Sequence, residues 1–294
     1  MKTIDELREG FIRAKYVINE EALNIIYLAL RLEKPLLVCG PTGVGKTELA
    51  KVLSKIFAAK FIRVQCHEGL DENKALYDWN FQRQLVKIHL AAKSGAITEE
   101  DLFSFANILQ RPLLQAITSE EPVVLLVDEI DRADLNFEAF LLEVLSDFQI
   151  SIPEVGTIKA RRKPIVVITN NGEREISEAL RRRCVFLYLD FPTIEQEASI
   201  IKAQAPEILE DLGEDIALGV NRLLQPDHHA SSYPTSTLDW ARALLLLNAD
   251  RLQKDYVEKT LTLLAKRKES LEAYQDFLTK HRLELPYSEN KIHF

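Results

Sequence analysis

Gly40-Pro41-Thr42-Gly43-Val44-Gly45-Lys46-Thr47 follows the apolar run Pro35-Leu36-Leu37-Val38-Cys39 and opens onto Glu48-Leu49-Ala50-Lys51-Val52-Leu53-Ser54-Lys55-Ile56. The pattern G-x-x-x-x-G-K-[S/T] encodes a physical device. Glycines let backbone N–H groups turn inward around phosphate oxygens, Lys46 supplies a cation for the β- and γ-phosphates, and the Thr47 hydroxyl can ligate Mg²⁺. The run before it reads as a buried strand, and the residues after it carry apolar side chains at helical spacing. A strand entering the loop and a helix leaving it aim the positive end of that helix at a bound anion. A ligand-free glycine-rich turn is the plain alternative, and the strand–loop–helix context argues against it. Gly40 to Thr47, with Glu48 beside them, are therefore the expected nucleotide-binding residues, with ATP and Mg²⁺ as the expected cofactors.

Working outward, the 294 residues suffice for one large or two modest domains, each with its own core. Apolar content of 47% and charged content of 28% are ordinary for a soluble globular chain. No apolar run approaches the roughly 18 residues that span a bilayer, and Met1 to Glu9 is too charged for a secretory signal. Three cysteines, with Cys39 and Cys184 at or in strand-like runs, predict reduced thiols in a cytoplasmic protein. A net charge of −8 argues against a broad nucleic-acid footprint.

Asn19-Glu20-Glu21 caps a helix in which Ala22, Leu23, Ile26 and Leu30 recur with helical period. Phe61 to Gln65 predicts a second strand; the topology of residues 71–119 is not legible. Pro122 to Val127 reads as a strand buried on both faces, and Asn136 to Asp147 as a helix. Gln149 to Ala160, centred on Pro153-Glu154-Val155-Gly156, has the alternation of a hairpin. Pro164 to Thr169 and Val185 to Leu189 are two further buried-type strands. Strands alternating with helices predict an α/β fold with a mostly parallel sheet covered on both faces. Beyond Pro192 the pattern turns helical. Thr193-Ile194-Glu195-Gln196 is a capping box, and Gln225 to Ser236 reads as a loop between helices. The expected organisation is a nucleotide-binding core over 1–192, a helical lid domain over 193–284 and a weakly ordered tail over 285–294.

Val123 to Val127 runs straight into Asp128-Glu129. An apolar strand that ends in Asp-Glu puts Asp128 at the mouth of the sheet, where it can hold Mg²⁺ opposite Thr47. Glu129 is then the group to orient and deprotonate an attacking water. Alone, an Asp-Glu pair is ordinary surface; its place after a buried strand makes it chemistry.

With these residues in hand, the chain resembles the AAA+ ATPases, which implies a three-layer α/β/α P-loop core with a C-terminal helical lid. Thr169-Asn170-Asn171 falls where that family places a polar sensor, pointing to Asn171, with Asn170 as the second choice. Leu180-Arg181-Arg182-Arg183-Cys184 resembles the arginine-finger segment, with Arg183 as the finger and Arg182 as a plausible second, against the plain reading of a solvated basic helix end. The hairpin is similar to an insertion found in one large AAA+ clade, and within it Gln65 to Asp71, Tyr77 to Leu85, Asp128 to Asp134 and Leu180 to Cys184 resemble the MoxR group, and its CoxD-like branch. That resemblance implies a hexameric ring, a partner with a von Willebrand factor A domain, and a chaperone-like role in maturing a client protein or metal centre. One departure stands out: Thr235 occupies the place where relatives carry a second sensor arginine, and Arg242 lies farther along the same segment.

Taken together, these readings imply an ATP hydrolase. Nucleic-acid action is disfavoured by the acidic balance and by the lack of a basic stripe interleaved with aromatics. A nucleotide-gated scaffold with little turnover is kept open by the missing arginine, and a small-molecule kinase would leave the arginine cluster unexplained. His228-His229 has no Cys or carboxylate at zinc-ligand spacing, and Lys266 to Glu269 reads as a solvated helix face. Tyr16-Val17 lies where relatives contact adenine.

Overall fold

Why the chain folds around the phosphate loop is visible in one strand. Every residue of Val123–Asp128 is buried, as a strand covered on both faces must be. The computed structural model describes residues 2–94, 98–208, 210–224, 234–249, 252–265 and 268–280. In chain order its elements begin with α1 (Ile4–Arg13), α2 (Glu20–Arg31), β1 (Leu36–Cys39), α3 (Lys46–Ile56) and β2 (Lys60–Gln65). Then come α4 (Glu72–Leu76), β3 (Tyr77–Trp79), α5 (Phe81–Ser94), α6 (Glu99–Leu102), β4 (Ile108–Gln110) and α7 (Pro112–Thr118). They continue with β5 (Val123–Asp128), α8 (Leu135–Asp147), β6 (Gln149–Ile152), β7 (Gly156–Lys159), β8 (Ile165–Asn170), α9 (Glu178–Arg183) and β9 (Val185–Tyr188). The helices α10 (Ile194–Gln204), α11 (Glu210–Leu224), α12 (Pro234–Leu246), α13 (Lys254–Thr260) and α14 (Lys268–Lys280) follow.

Five strands form one sheet in the order β2-β5-β8-β1-β9, and every pairing in it is parallel. Register places Gln65 beside Asp128, Val127 beside Ile168 and Cys39 beside Asn170. The C-terminal ends of β1, β5 and β8 therefore open along one edge, where ligands of such sheets sit. α3 and α7 pack on β5, and Leu125, Val127, Ile168, Leu113, Phe137 and Leu141 belong to one buried apolar cluster. β6 and β7 pair antiparallel as a separate hairpin.

Two compact units interleave along the chain. The first holds Met1–Gly10, Asn19–Gly40 and Lys46–Tyr188; the second holds Phe11–Ile18, Pro41–Gly45 and Leu189–Phe294. The second is helical wherever it forms regular elements. Its core centres on buried Trp240, whose indole N–H donates to Thr260 Oγ1 at 2.7 Å. Gly219 on α11 lets the Leu252 side chain approach there, since a Cβ on it would meet Leu252 Cδ2 at 2.6 Å.

Several elements depart from the sequence expectation. α1 was not anticipated. The described part of residues 71–119 forms the fourteen-residue α5, three shorter helices α4, α6 and α7, and a β3–β4 antiparallel ladder. α12 begins at Pro234, inside the stretch expected as loop, because proline's fixed φ suits a first helical turn that needs no N–H donor. His228-His229, Lys266-Arg267 and the 285–294 tail lie outside the described residues. Among the described residues, no helix is long and apolar enough to cross a membrane.

Candidate functional site

The phosphate loop takes its shape from backbone that only glycine adopts easily: φ is 86° at Gly43 and 97° at Gly45. At Gly45 it is the backbone that demands glycine, since a Cβ there would stand at ordinary contact distance, 3.4 Å, from Tyr16 Oη. The Tyr16 hydroxyl donates to the Gly45 carbonyl at 3.3 Å, so the Tyr16 side chain braces the loop. Residue type alone gave no hint of that contact.

Lys46, the first residue of α3, is buried and donates from Nζ to the Gly40 carbonyl at 2.6 Å. The lysine thus closes the loop on itself. Burial pulls its ammonium below the usual lysine pKa, and Asp131 and Asp128 oppose that pull. Next to it, Thr47 Oγ1 lies 3.2 Å from both carboxylate oxygens of Asp128.

Asp128 is a buried carboxylate, stabilised by donors from three elements. Thr47 comes from α3, and Thr169 Oγ1 on β8 donates to Oδ1. Arg63 on β2 donates to Oδ2 through Nε at 3.0 Å and through Nη2. Thr169 also accepts from the Glu129 backbone N–H at 2.8 Å. One threonine thereby ties the end of β8 to both members of the acidic pair. Thr47 and Asp128 bring hard oxygen donors together, which is the chemistry Mg²⁺ selects. Mg²⁺ takes few protein ligands and fills its shell with water and phosphate. Among the described residues there is no cluster of three or more His, Cys, Asp or Glu able to hold a metal.

Glu129 sits in left-handed backbone at φ 58°, ψ 54°, a conformation that costs a non-glycine residue roughly 1–2 kcal/mol. The kink turns its side chain away from the line of β5. There Oε2 accepts from Gln65 Nε2 at 2.9 Å and pairs with Arg132 Nη1 at 3.1 Å. Asp131 is buried; its Oδ2 accepts the backbone N–H groups of Asn171 and Glu173 at 3.1 and 3.0 Å. Its Oδ1 is buried without a partner, so its negative potential remains available to Lys46.

Of the two sensor candidates, Asn170 is the last residue of β8, and its amide approaches Cys39 Sγ at 3.6 Å. Asn171 lies one residue beyond the strand, held through its backbone N–H. The arginines behave differently. Arg182 pairs with Glu178 on α9, and Arg183 donates to the Leu142 carbonyl at 3.4 Å. Both are exposed, and among the described residues neither bonds to the loop or to Asp128. All three cysteines are free thiols. Burial pushes Cys66 and Cys184 up to about 12 and raises Cys39 as well.

Residues 35–184 match the AAA domain (dynein-related subfamily). The chain belongs to that family. Its five-stranded parallel sheet with flanking helices is the AAA+ P-loop fold. The chloroplastic chaperone protein ClpD1 of Oryza sativa subsp. japonica is 26% identical, covering 69% of this chain and 21% of its own length. The Holliday junction branch migration complex subunit RuvB of Thermotoga petrophila is 24% identical, covering 97% of this chain and 79% of its own. The structure of the Thermotoga maritima RuvB Holliday junction branch migration motor matches with a TM-score of 0.51 at 21% identity. That match covers 86% of this chain and 72% of that one. The chain spans 21–26% of the length of the Clp chaperones it matches.

Proposed function

We propose that this AAA domain is a Mg²⁺-dependent ATP hydrolase of the MoxR type, close to the CoxD-like branch. The reading is that it works as a homo-hexameric ring and remodels a client protein or metal centre with a von Willebrand A-domain partner. The observation that carries the hydrolase reading is the approach of Thr47 Oγ1 to Asp128 at 3.2 Å beside buried Lys46. The sequence motifs at 65–71, 77–85 and 128–134 support the MoxR assignment.

ATP would supply the transferable phosphoryl group, and a Mg²⁺ held here would offset phosphate charge. Lys46 and the N–H groups of Gly43 to Thr47, with Glu48, would bind the phosphates, and Thr47 with Asp128 would hold the metal. Glu129 would take the proton from the attacking water, and Asn171 would orient that water. Arg183, with Arg182 beside it, is exposed on α9 and would serve the site of a neighbouring subunit. Such fingers contribute about 10³–10⁵ in rate, so an isolated subunit would turn over slowly. Cytoplasmic residence fits three free thiols.

A nucleic-acid-acting ATPase is the second reading, favoured by likeness to RuvB over 97% of the chain. The net charge of −8 weighs against it. A nucleotide-gated scaffold with little turnover is the third, and it rests on Thr235 standing where relatives have arginine.

The deciding experiment is Glu129→Gln. Nucleotide affinity should persist while hydrolysis falls on the order of 10²–10⁴-fold, and the parent's specific activity should rise with protein concentration. Undiminished hydrolysis in the variant would remove Glu129 from the mechanism. Activity that stays flat on dilution would remove the finger in trans.

A further inference from the structure

The three strands that end at the phosphate loop begin at a second feature. A cavity of ≈ 340 Å³ is bounded by Pro35, Val123 and Ile165, which stand at the N-terminal ends of β1, β5 and β8. Gly40, Asp128 and Asn170 stand at or just past the other ends of those strands. β5 alone spans about 20 Å at roughly 3.3 Å per residue, so this cavity is not the nucleotide site. Its size falls within the range of about 300–1,000 Å³ typical of small-molecule pockets.

Two chemistries divide its lining. Leu7, Leu30, Phe57, Phe148 and Val166 supply carbon walls, which favour an aliphatic or aryl group over a sugar or a base. Around them stand Lys2, Arg31, Lys34, Arg162 and Lys163 against one carboxylate, Glu33. In a chain of net charge −8 this is a local reversal of sign. Lys163 already pairs with Glu33 at 2.7 Å and lies over the Phe148 ring at 5.8 Å. Arg31 lies over the Tyr27 ring at 5.9 Å. Lys34 and Arg162 are exposed, and among the described residues neither makes an ion pair. The charges of Lys34 and Arg162 therefore have no counter-ion among the described residues. A buried apolar wall with a cationic rim favours a ligand that joins a hydrocarbon tail to an anionic head.

We propose that this cavity binds an amphipathic anion, with its hydrocarbon tail against Leu30, Phe57 and Phe148 and its head at Lys34 and Arg162. Among the described residues no acidic side chain other than Glu33, already paired with Lys163, lines the cavity, so a cationic ligand of the same length finds no free carboxylate among them.

The test is calorimetric titration of the full chain with decanoate below its micellar concentration, alongside decanol and decyltrimethylammonium. Decanoate should bind at one site per chain, about tenfold or more tighter than the other two, one ion pair of ~1.4 kcal/mol accounting for that factor. Saturating Mg²⁺ and ATP should leave decanoate bound. The double variant Lys34→Glu, Arg162→Glu changes only exposed positions and should weaken decanoate about tenfold with an unchanged unfolding midpoint. Leu30→Trp should fill the cavity and abolish binding. Equal binding of the cationic amphiphile, displacement of decanoate by ATP, or full affinity in the double variant would each overturn the assignment.

Discussion

Replacing Arg63 with alanine separates the two demands placed on Asp128. The Asp128 side chain is 3% exposed and that of Arg63 is 46% exposed. Truncation removes two charge-assisted hydrogen bonds from a carboxylate that still keeps the hydroxyls of Thr47 and Thr169. Breaking a fully buried pair costs about 3–5 kcal/mol. Here both bonds reach one oxygen and water can follow the departing guanidinium, so a loss of about 2 kcal/mol is expected. The same change should help a divalent cation. Arg63 is a positive charge at the carboxylate proposed to hold Mg²⁺, and losing it removes a repulsion of about 1 kcal/mol after discounting for solvent. That is roughly fivefold tighter Mg²⁺ dependence of nucleotide binding.

The assay is urea denaturation in chelator, followed by a Mg²⁺ titration of nucleotide binding, on Arg63→Ala and on Arg63→Lys. The alanine variant should be less stable when metal-free and more readily satisfied by Mg²⁺; the lysine variant, which keeps the charge, should not gain Mg²⁺ affinity. Metal-free stability within about 0.5 kcal/mol of the parent, together with an unchanged Mg²⁺ requirement, would refute the idea that Asp128 is a cation-seeking carboxylate balanced by Arg63.

Gly45→Ala places a side chain at φ 97° and at 3.4 Å from Tyr16 Oη. A strain on the order of 1–3 kcal/mol should weaken nucleotide binding far more than Tyr16→Phe does, read by fluorescent-nucleotide titration. Cys66 and Cys184 hold their protons to about 12, against 9.0 for a free thiol. The folded chain therefore binds more protons than the unfolded one in that window, and the contribution is complete below pH 9 and is lost as pH rises from about 9 towards about 12. Denaturation midpoints should fall between pH 8 and pH 10, and fall less in Cys66→Ala. Trp240→Ala should cost the helical unit about 3–5 kcal/mol, seen as a lower thermal transition that leaves the Trp79 fluorescence signal of the first unit in place.

The phosphate loop, β5 and the Thr193–Gln196 capping box were readable because each is a local signal. Glycines at fixed spacing, an unbroken apolar run and a cap three residues from its partner all lie within a few turns of chain. The β3–β4 ladder was not readable, since Tyr77 pairs with Gln110 across a long excursion and three-residue strands carry no usable period. Arg63 was hidden for the same reason: it sits outward on β2, and its meaning lies in Asp128, 65 residues away. Tyr16 was noticed only for its backbone position, whereas its hydroxyl braces Gly45. The segment Leu180 to Cys184 reads as a motif in sequence, and within the chain Arg182 meets Glu178 and Arg183 the Leu142 carbonyl.

Strand order explains why an acidic pair so far from the loop in sequence belongs to the same site. β8 lies between β1 and β5, so Asp128 is two strand spacings, roughly 9–10 Å, from the end of β1. No side chain of β1 need bridge that gap. Thr47 reaches Asp128 from α3, which packs over β5 and β8, and Thr169 reaches it from the intervening strand. The bond from the Glu129 N–H to Thr169 Oγ1 then fixes where β5 ends. The left-handed turn at Glu129 is the cost of that arrangement. A strand that merely continued would send Glu129 across the pleat from Asp128, because successive side chains alternate faces. The turn instead places its carboxylate between Gln65 and Arg132. Strain of this kind persists only where surrounding contacts overdetermine it, and here a threonine, a glutamine and an arginine from three elements do so. A surface Asp-Glu pair would carry none of those contacts, and relaxing the turn would cost it nothing.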